Sequence, residues 1–251
     1  MDPPLTRADR ASLTHPAPLT PGILSFTTQH HLPALYTLPP PTILLPPSAQ
    51  NTLLNSTPTA AAHLIRSLPP TWTHLAMPLQ HKADRRWSVL LIHRQPNTHT
   101  FLGMLYDTRI AFMHPETGQQ CETGWNSSLA AAVSRRILRH ADGNKGQTID
   151  YNICSGVPQV HASESGVVAC VVLRGIAETL STAPRQGDLD SALFVFDEQF
   201  VKSRLVEERD KLKRAVHEVA SESLLVLVLC AAGVAVGVGA LPVLQTLLWG
   251  W

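Results

Sequence analysis

The sequence predicts an α+β fold with one transmembrane helix at its C-terminal end, and two features of the chain lead to this. From Ser48 onward, a segment with helical periodicity is followed by strand-like runs, a second helix, a further strand and a third helix. This order is typical of the α+β class. The segment from Leu224 to Leu244 is then continuously apolar and uncharged, and it supplies the roughly 20 apolar residues that a helix needs to cross a bilayer.

The first 41 residues form an N-terminal arm that differs from the rest in its proline content. Residues 1–47 hold 11 of the 20 prolines. Proline fixes φ and has no backbone N–H, so continuous regular structure is not expected here. We predict a flexible or extended arm over residues 1–41, with its ILSF run as the part that can pack on the domain.

The domain is predicted to cover residues 42–196. A helix with a break at Pro58 ends at Pro69 and Pro70, and a short apolar strand follows. Two further strand-like runs, joined by the polar turn QPNTHT, indicate a hairpin. The remaining elements are an amphipathic helix over residues 126–140, a strand at TIDYNIC and a buried helix at GVVACVVLRGIAETL.

A charged juxtamembrane helix over residues 197–222 is predicted to lead into the tail, residues 223–251. Basic residues before the apolar run favour the cytoplasmic side, and tryptophans after it fall where interfacial aromatics are expected (Lys211, Lys213, Arg214, Trp249, Trp251). The alternative is a buried core helix, but core helices are usually shorter and have a polar face.

The start of the chain, MDPPLTRADR, is polar and does not resemble a signal peptide. We therefore expect a single-pass C-terminal membrane anchor that is inserted after synthesis, with the domain facing the cytosol. Gly233 and Gly237 have a GxxxG spacing, which allows two helices to approach closely and predicts a weak homodimer.

Composition excludes several classes of function. The formal net charge is +1, which gives no electrostatic reason to expect nucleic-acid binding. The four cysteines fit no zinc-site spacing, and the 12 histidines are scattered without an HExxH pattern. Most histidines are therefore expected at the surface, and no metal or cofactor is predicted.

Three motifs occur in an informative order: RRWSVLLI at Arg85–Ile92, YDT at Tyr106–Thr108 and VPQVHASESGVVAC at Val157–Cys170. This set resembles the sentrin-specific cysteine proteases, which cleave ubiquitin-like modifiers, and it is most similar to the deneddylase branch. That family reads HWSLL, then YDS, then PQQ followed by DCGVYVC. The resemblance covers residues from about Thr42 to Leu180, and it implies the fold of that protease family.

The family's chemistry uses a cysteine nucleophile, a histidine base, an aspartate that orients the histidine, and a glutamine that helps to stabilise the oxyanion. Asp107 matches the aspartate and Gln159 matches the glutamine. Trp87 matches the tryptophan that walls the tunnel for the modifier's Gly-Gly tail, so it is the predicted substrate-binding residue. The histidine position is Arg86 and the cysteine position is Ser165, within Glu-Ser-Gly. The family's early Trp-Leu-Asn-Asp motif has no match in the arm.

These two changes imply a pseudoenzyme. A serine hydroxyl is a much weaker nucleophile than a thiolate, and a protonated guanidinium cannot act as its base. An Arg86–Asp107 ion pair is the expected structural replacement. The alternatives for a relocated catalytic group are His81 or His161 as the base and Cys154 as a displaced thiol, but exposed loop residues are the simpler interpretation.

We therefore predict a membrane-anchored, catalytically impaired protein that binds a ubiquitin-like modifier of the neddylation or SUMO type, its conjugates, or another partner. The first alternative is an active deneddylase or desumoylase that acts on conjugates at a membrane. The second is a tail-anchored scaffold unrelated to the family.

Overall fold

The computed structural model describes residues 5–14, 17–39, 41–82, 85–94, 101–107, 112–113, 120–121, 125–141, 149–153, 157, 160–182, 196 and 198–236. Within these ranges, only the backbone is described for residues 112–113, 120–121, 125–127, 149–153 and 222–236.

The described helices and strands follow one another in an α+β order. The helices are α1 (Arg7–Ser12), α2 (Pro21–Phe26), a π-helical segment (Thr27–His31), α3 (Leu32–Leu35), α4 (Pro47–Asn55), α5 (Pro58–Arg66), α6 (Trp125–His140), α7 (Ala162–Thr182) and α8 (Glu198–Val236). The strands are β1 (Thr42–Leu44), β2 (His74–His81), β3 (Arg86–Arg94), β4 (Phe101–Asp107), β5 (Phe112–Met113), β6 (Gln120–Cys121) and β7 (Ile149–Ile153).

Five of these strands form one mixed sheet in the order β1-β2-β3-β4-β7, and β5 and β6 pair separately. The central strands β2, β3 and β4 are antiparallel neighbours, whereas β1 runs parallel to β2 and β7 runs parallel to β4. The predicted hairpin is confirmed as β3 and β4, with Leu90 opposite Leu105. The predicted helices at α4–α5, α6 and α7 are also confirmed.

Helices cover both faces of the sheet. Because side chains alternate along a strand, Leu90 and Ile92 of β3 point to one face, where they join a core with α4, α5 and α6. Trp87, Val89 and Leu91 point to the other face, on which α7 packs against β3. The apolar sequence of α7 is explained by this position, since 15 of its residues are buried.

The N-terminal arm, predicted as flexible or extended with only its ILSF run packed, contains helices α1, α2 and α3, and its ILSF run packs as predicted. Ile23, Leu24 and Leu32 are fully buried. The prolines do not prevent helix formation. Pro21 lies in the first turn of α2, where the missing N–H has no helical partner in any case. Pro33 follows the π-helical segment, in a helical stretch that continues from α2 into α3. The proline content therefore predicted too little helix in the arm, and burial of the apolar residues between the prolines stabilises its helices.

The outer edge of β2 is closed by a side chain of α4. The Gln50 side-chain amide donates to the carbonyl of Gln80 at 2.9 Å, and its oxygen accepts the Gln80 N–H at 2.7 Å. The glutamine thus provides the two hydrogen bonds that a further strand would provide, at a part of β2 beyond its pairing with β1.

Two histidines are exceptions to the surface position predicted for most of them, because they are buried in the sheet. His74 of β2 lies opposite His93 of β3, and their ring nitrogens Nε2 and Nδ1 are 2.8 Å apart. Burial, with the neighbouring His93, lowers the pKa of His74 to about 3, and burial also lowers the pKa of His93. The pair is therefore neutral at physiological pH.

The chain divides into two compact units, residues 1–209 and 210–251. Helix α8 continues without interruption to Val236, past the predicted boundary at residue 222. Among the described residues, the helix that is long and apolar enough to span a bilayer is α7, and most of it is buried within the protein. The side chains of the predicted transmembrane tail lie outside the described residues, so the anchor stays a prediction.

Candidate active site

Ser165 lies in the first turn of α7 and is completely buried. Its hydroxyl donates to the carbonyl of Ala162 at 2.8 Å and accepts the backbone N–H of Trp87 at 3.1 Å. The hydroxyl therefore joins the start of α7 to the start of β3. A serine in this arrangement has its proton directed at a backbone carbonyl and not at a base.

Arg86 is the first residue of β3, directly before Trp87. Its Nη1 donates to the carbonyl of Val160 at 2.8 Å, two residues before α7 begins. The side chain is half-buried. The structure thus brings Arg86 and Ser165 to the same junction between β3 and the N-terminus of α7, where each of them bonds to backbone atoms.

Asp107 is the last residue of β4 and lies opposite Ser88 in the ladder. Arg86 precedes Ser88 by two residues, so Arg86 and Asp107 are diagonal neighbours on the same face of the sheet. Such neighbours are roughly 7–8 Å apart, within reach of long side chains. The register agrees with an Arg86–Asp107 ion pair, which itself stays a prediction.

Trp87 points to the opposite face and is completely buried. Its indole N–H donates to the carbonyl of Leu19 at 3.1 Å. Gly166 leaves room for this arrangement, because a Cβ there would lie 2.8 Å from the Cβ of Leu19 and 3.2 Å from Cδ1 of Trp87. The residue predicted to wall a substrate tunnel is thus covered by the N-terminal arm.

Two of the predicted residues, Gln159 and Cys154, lie outside the described residues. Of the two histidines considered as relocated bases, His161 is exposed and its Nδ1 lies 2.9 Å from the hydroxyl of Ser163. His81 is opposite Arg86, at the end of β2. Both hydrogen bonds of the Ser165 hydroxyl go to backbone atoms, so neither histidine is placed as its base.

Cys170 is buried in the second turn beyond Ser165, with its Sγ 3.7 Å from the hydroxyl of Thr27. Burial, with the negative charge of Glu208, raises the pKa of this thiol to about 12. Since a thiolate is the nucleophilic form of cysteine, this thiol is unreactive in the folded protein.

A buried polar cluster that the sequence motifs did not indicate lies beside this site. Arg174 of α7 forms a two-bonded ion pair with Glu208 of α8, at 2.8 and 2.9 Å, and its Nη2 lies 2.9 Å from Nε2 of His31. Arg209 donates to three backbone carbonyls. The sequence does contain one indication of this cluster: Arg174 lies within the apolar run VVLRGIA, and a buried charge requires a partner.

No family model matches the sequence, and no curated protein sequence matches it. Solved structures do match. A structure described as a de-sumoylating protease is 14% identical with a TM-score of 0.60, over 84% of this chain and 85% of that chain. The SUMO protease Ulp1, with its catalytic cysteine oxidised to a sulfonic acid, is 13% identical with a TM-score of 0.50, over 83% of this chain and 85% of that chain. The chain therefore has the fold of the sentrin-specific, ubiquitin-like-protein proteases, and the predicted resemblance is confirmed at the level of the fold.

Proposed function

We propose that this protein is a pseudoprotease that binds a ubiquitin-like modifier and is held at a membrane by its C-terminal tail. The observation that carries the proposal is the state of Ser165 at the position of the family's nucleophile: it is fully buried, and both of its hydrogen bonds join it to backbone atoms.

The chemistry of the two changed positions supports this proposal. A serine nucleophile needs a neighbouring base to remove its proton. The residue at the base position is Arg86, whose guanidinium has no acceptor capacity and donates to the carbonyl of Val160. Both groups thus contribute to the packing between β3 and α7. An active protease would need these groups to be available for proton transfer.

The partner class is inferred from the fold and from the motifs. The solved structures with this fold include desumoylating proteases. The RRW and YDT motifs resemble the deneddylase branch more closely. We therefore infer a modifier of the SUMO or neddylation type, without choosing between them. The second alternative from the sequence was a tail-anchored scaffold unrelated to the family; the shared fold contradicts the lack of relation, and a scaffold role stays a prediction.

Binding and catalysis can be tested separately. The full chain in detergent should bind one of the two modifier types in calorimetry, and it should not react with modifiers that carry a propargyl or vinyl-sulfone warhead. Covalent labelling of any cysteine would overturn the pseudoprotease and support the alternative, an active isopeptidase. Absence of binding to both modifiers would remove the proposed partner.

A restored enzyme provides a further test of the assigned positions. The double variant Arg86→His with Ser165→Cys places the family's two reacting groups at these positions. We expect measurable hydrolysis of a modifier-fused reporter by the double variant, and none by either single variant. Activity of the unmodified chain on the same reporter would contradict the proposed impairment.

The membrane location is proposed from the uncharged tail and its basic flank. The full chain should remain in the membrane pellet after a carbonate wash, and a chain that ends at Ser221 should be released into the soluble fraction. If the shortened chain stayed in the pellet, the tail would not be its only anchor.

A further inference from the structure

A short strap of the N-terminal arm lies over the candidate site. This strap, residues 17–20, is fixed at each end by side chains from other elements. Arg209 of α8 donates to the carbonyl of Ala17 at 3.2 Å, and the hydroxyl of Thr20 donates to the carboxylate of Asp9. Between these ends, the indole N–H of Trp87 donates to the carbonyl of Leu19.

The strap fills the space directly beside Ser165. The side chain of Leu19 is 2% exposed and lies against Trp87 and Gly166, the residue that follows Ser165. Gly166 has no side chain, so moving Leu19 away would leave a slot between the indole of Trp87 and the first turn of α7. The indole of Trp87 and the glycine at position 166 would line this space, which suits an extended peptide of small residues.

Arg209 joins α8 to the strap. Besides Ala17, the guanidinium of Arg209 binds the carbonyl of Ser12 at 3.0 Å and the carbonyl of Ser163 at 3.1 Å. It thus joins the arm to the first turn of α7. The preceding residue, Glu208, is paired with Arg174, so this part of α8 is held on α7 independently of the strap.

We propose that residues 17–20 are an inhibitory strap, which Arg209 holds closed over Trp87 and which must open before the extended tail of a modifier can enter. The proposal rests on the proposed modifier binding and adds its regulation. Loss of the Arg209 hydrogen bonds would release the strap at one end.

The test uses the full chain in detergent with two opening variants and one control. Arg209→Ala removes the clamp on α8, and Thr20→Ala removes the bond to Asp9 at the other end of the strap without changing α8. The control is Arg204→Ala, which removes another α8 arginine that pairs with Glu178 and does not touch the strap.

Hydrogen exchange detects the opening, and calorimetry detects its effect on binding. We expect exchange in residues 17–20 to rise about tenfold or more in both opening variants and to stay unchanged in the control. Mature SUMO-type or neddylation-type modifier should bind the opening variants at least about tenfold more tightly than the unmodified chain. Modifiers without their C-terminal tails should show no such gain.

The outcomes separate the strap from the proposed function. Unchanged exchange in both opening variants would overturn the strap. Faster exchange with equal modifier binding in all chains would overturn inhibition and leave the binding function intact. Faster exchange in the strap with no modifier binding by any chain would remove the proposed function and, with it, the strap's role as a gate for the modifier.

Discussion

The substitution Ser165→Ala tests whether this hydroxyl has a structural role. In the folded protein the hydroxyl accepts the N–H of Trp87 and donates to the carbonyl of Ala162, and no part of Ser165 is exposed. Alanine keeps the helix and removes both bonds. The carbonyl of Ala162 retains a partner, because the first carbonyl of a helix also accepts the amide four residues later.

The cost therefore comes mainly from the buried N–H of Trp87, which loses the Ser165 hydroxyl as its acceptor. Removing the acceptor of a buried donor costs about 1–3 kcal/mol. For a domain of this size, 1 kcal/mol corresponds to a shift of about 2–4 °C in the melting temperature, so a loss of about 2 kcal/mol lowers Tm by roughly 4–8 °C.

The assay is urea denaturation of the full chain in detergent, followed by far-ultraviolet circular dichroism. Ser181→Ala is the matched control on the same helix, because Ser181 donates to a carbonyl three residues earlier in the same way, at 2.9 Å. The control should change the free energy of unfolding by less than about 0.5 kcal/mol. A Ser165→Ala variant as stable as the control would refute the structural role. Loss of a hydrolytic activity in a Ser165→Ala variant that is as stable as the control would identify the hydroxyl as a nucleophile.

Three further predictions concern the core. The folded-state pKa of His74 lies below its unfolded value, so the unfolded chain binds more protons, and the free energy of unfolding should fall as the pH is lowered from about 6.5 toward 3. In urea titrations across this range, His74→Gln should reduce that fall. The exposed control His63→Gln should leave it unchanged. Gln50→Ala removes the partners of the Gln80 N–H and carbonyl in β2 and should lower the free energy of unfolding by about 1–3 kcal/mol. The neighbouring Asn51→Ala should lower it by less than about 0.5 kcal/mol. Equal effects in denaturant titrations would show that the Gln50 side chain does not stabilise the edge of β2. Cys170, which is buried and has a pKa of about 12, should not react with iodoacetamide at pH 8 until urea unfolds the chain. Peptide mapping measures this labelling. Rapid labelling of Cys170 in the folded protein would contradict the prediction.

The hairpin and the long helices could be predicted because their patterns are local. The alternation and turn residues of β3 and β4, and the apolar run of α7, each predict an element from a few neighbouring residues. The N-terminal arm could not be predicted in this way. Its helices are short, and they are stabilised by burial of Ile23, Leu24 and Leu32, which depends on partners far along the chain.

The same distinction applies to the candidate site. The order of the motifs predicted which positions belong together, and the structure places Arg86, Trp87 and Ser165 at one junction. The partners of the Ser165 hydroxyl could not be predicted from the sequence, because a serine with the same neighbours in the chain can donate to a base or to a backbone carbonyl. The hydrogen bonds of Arg209 could not be predicted either, because the carbonyls that it binds are 46 to 197 residues away in the sequence.

The sequence alone determined the fold class, the family resemblance and the identity of the groups at the two reacting positions, because periodicity, motif order and residue type are local properties of the chain. Only the tertiary structure decided that the Ser165 hydroxyl is fully buried between α7 and β3, and that the N-terminal arm covers Trp87. Burial and hydrogen-bond partners depend on which segments come into contact in the folded protein, and here those segments are far apart in the sequence.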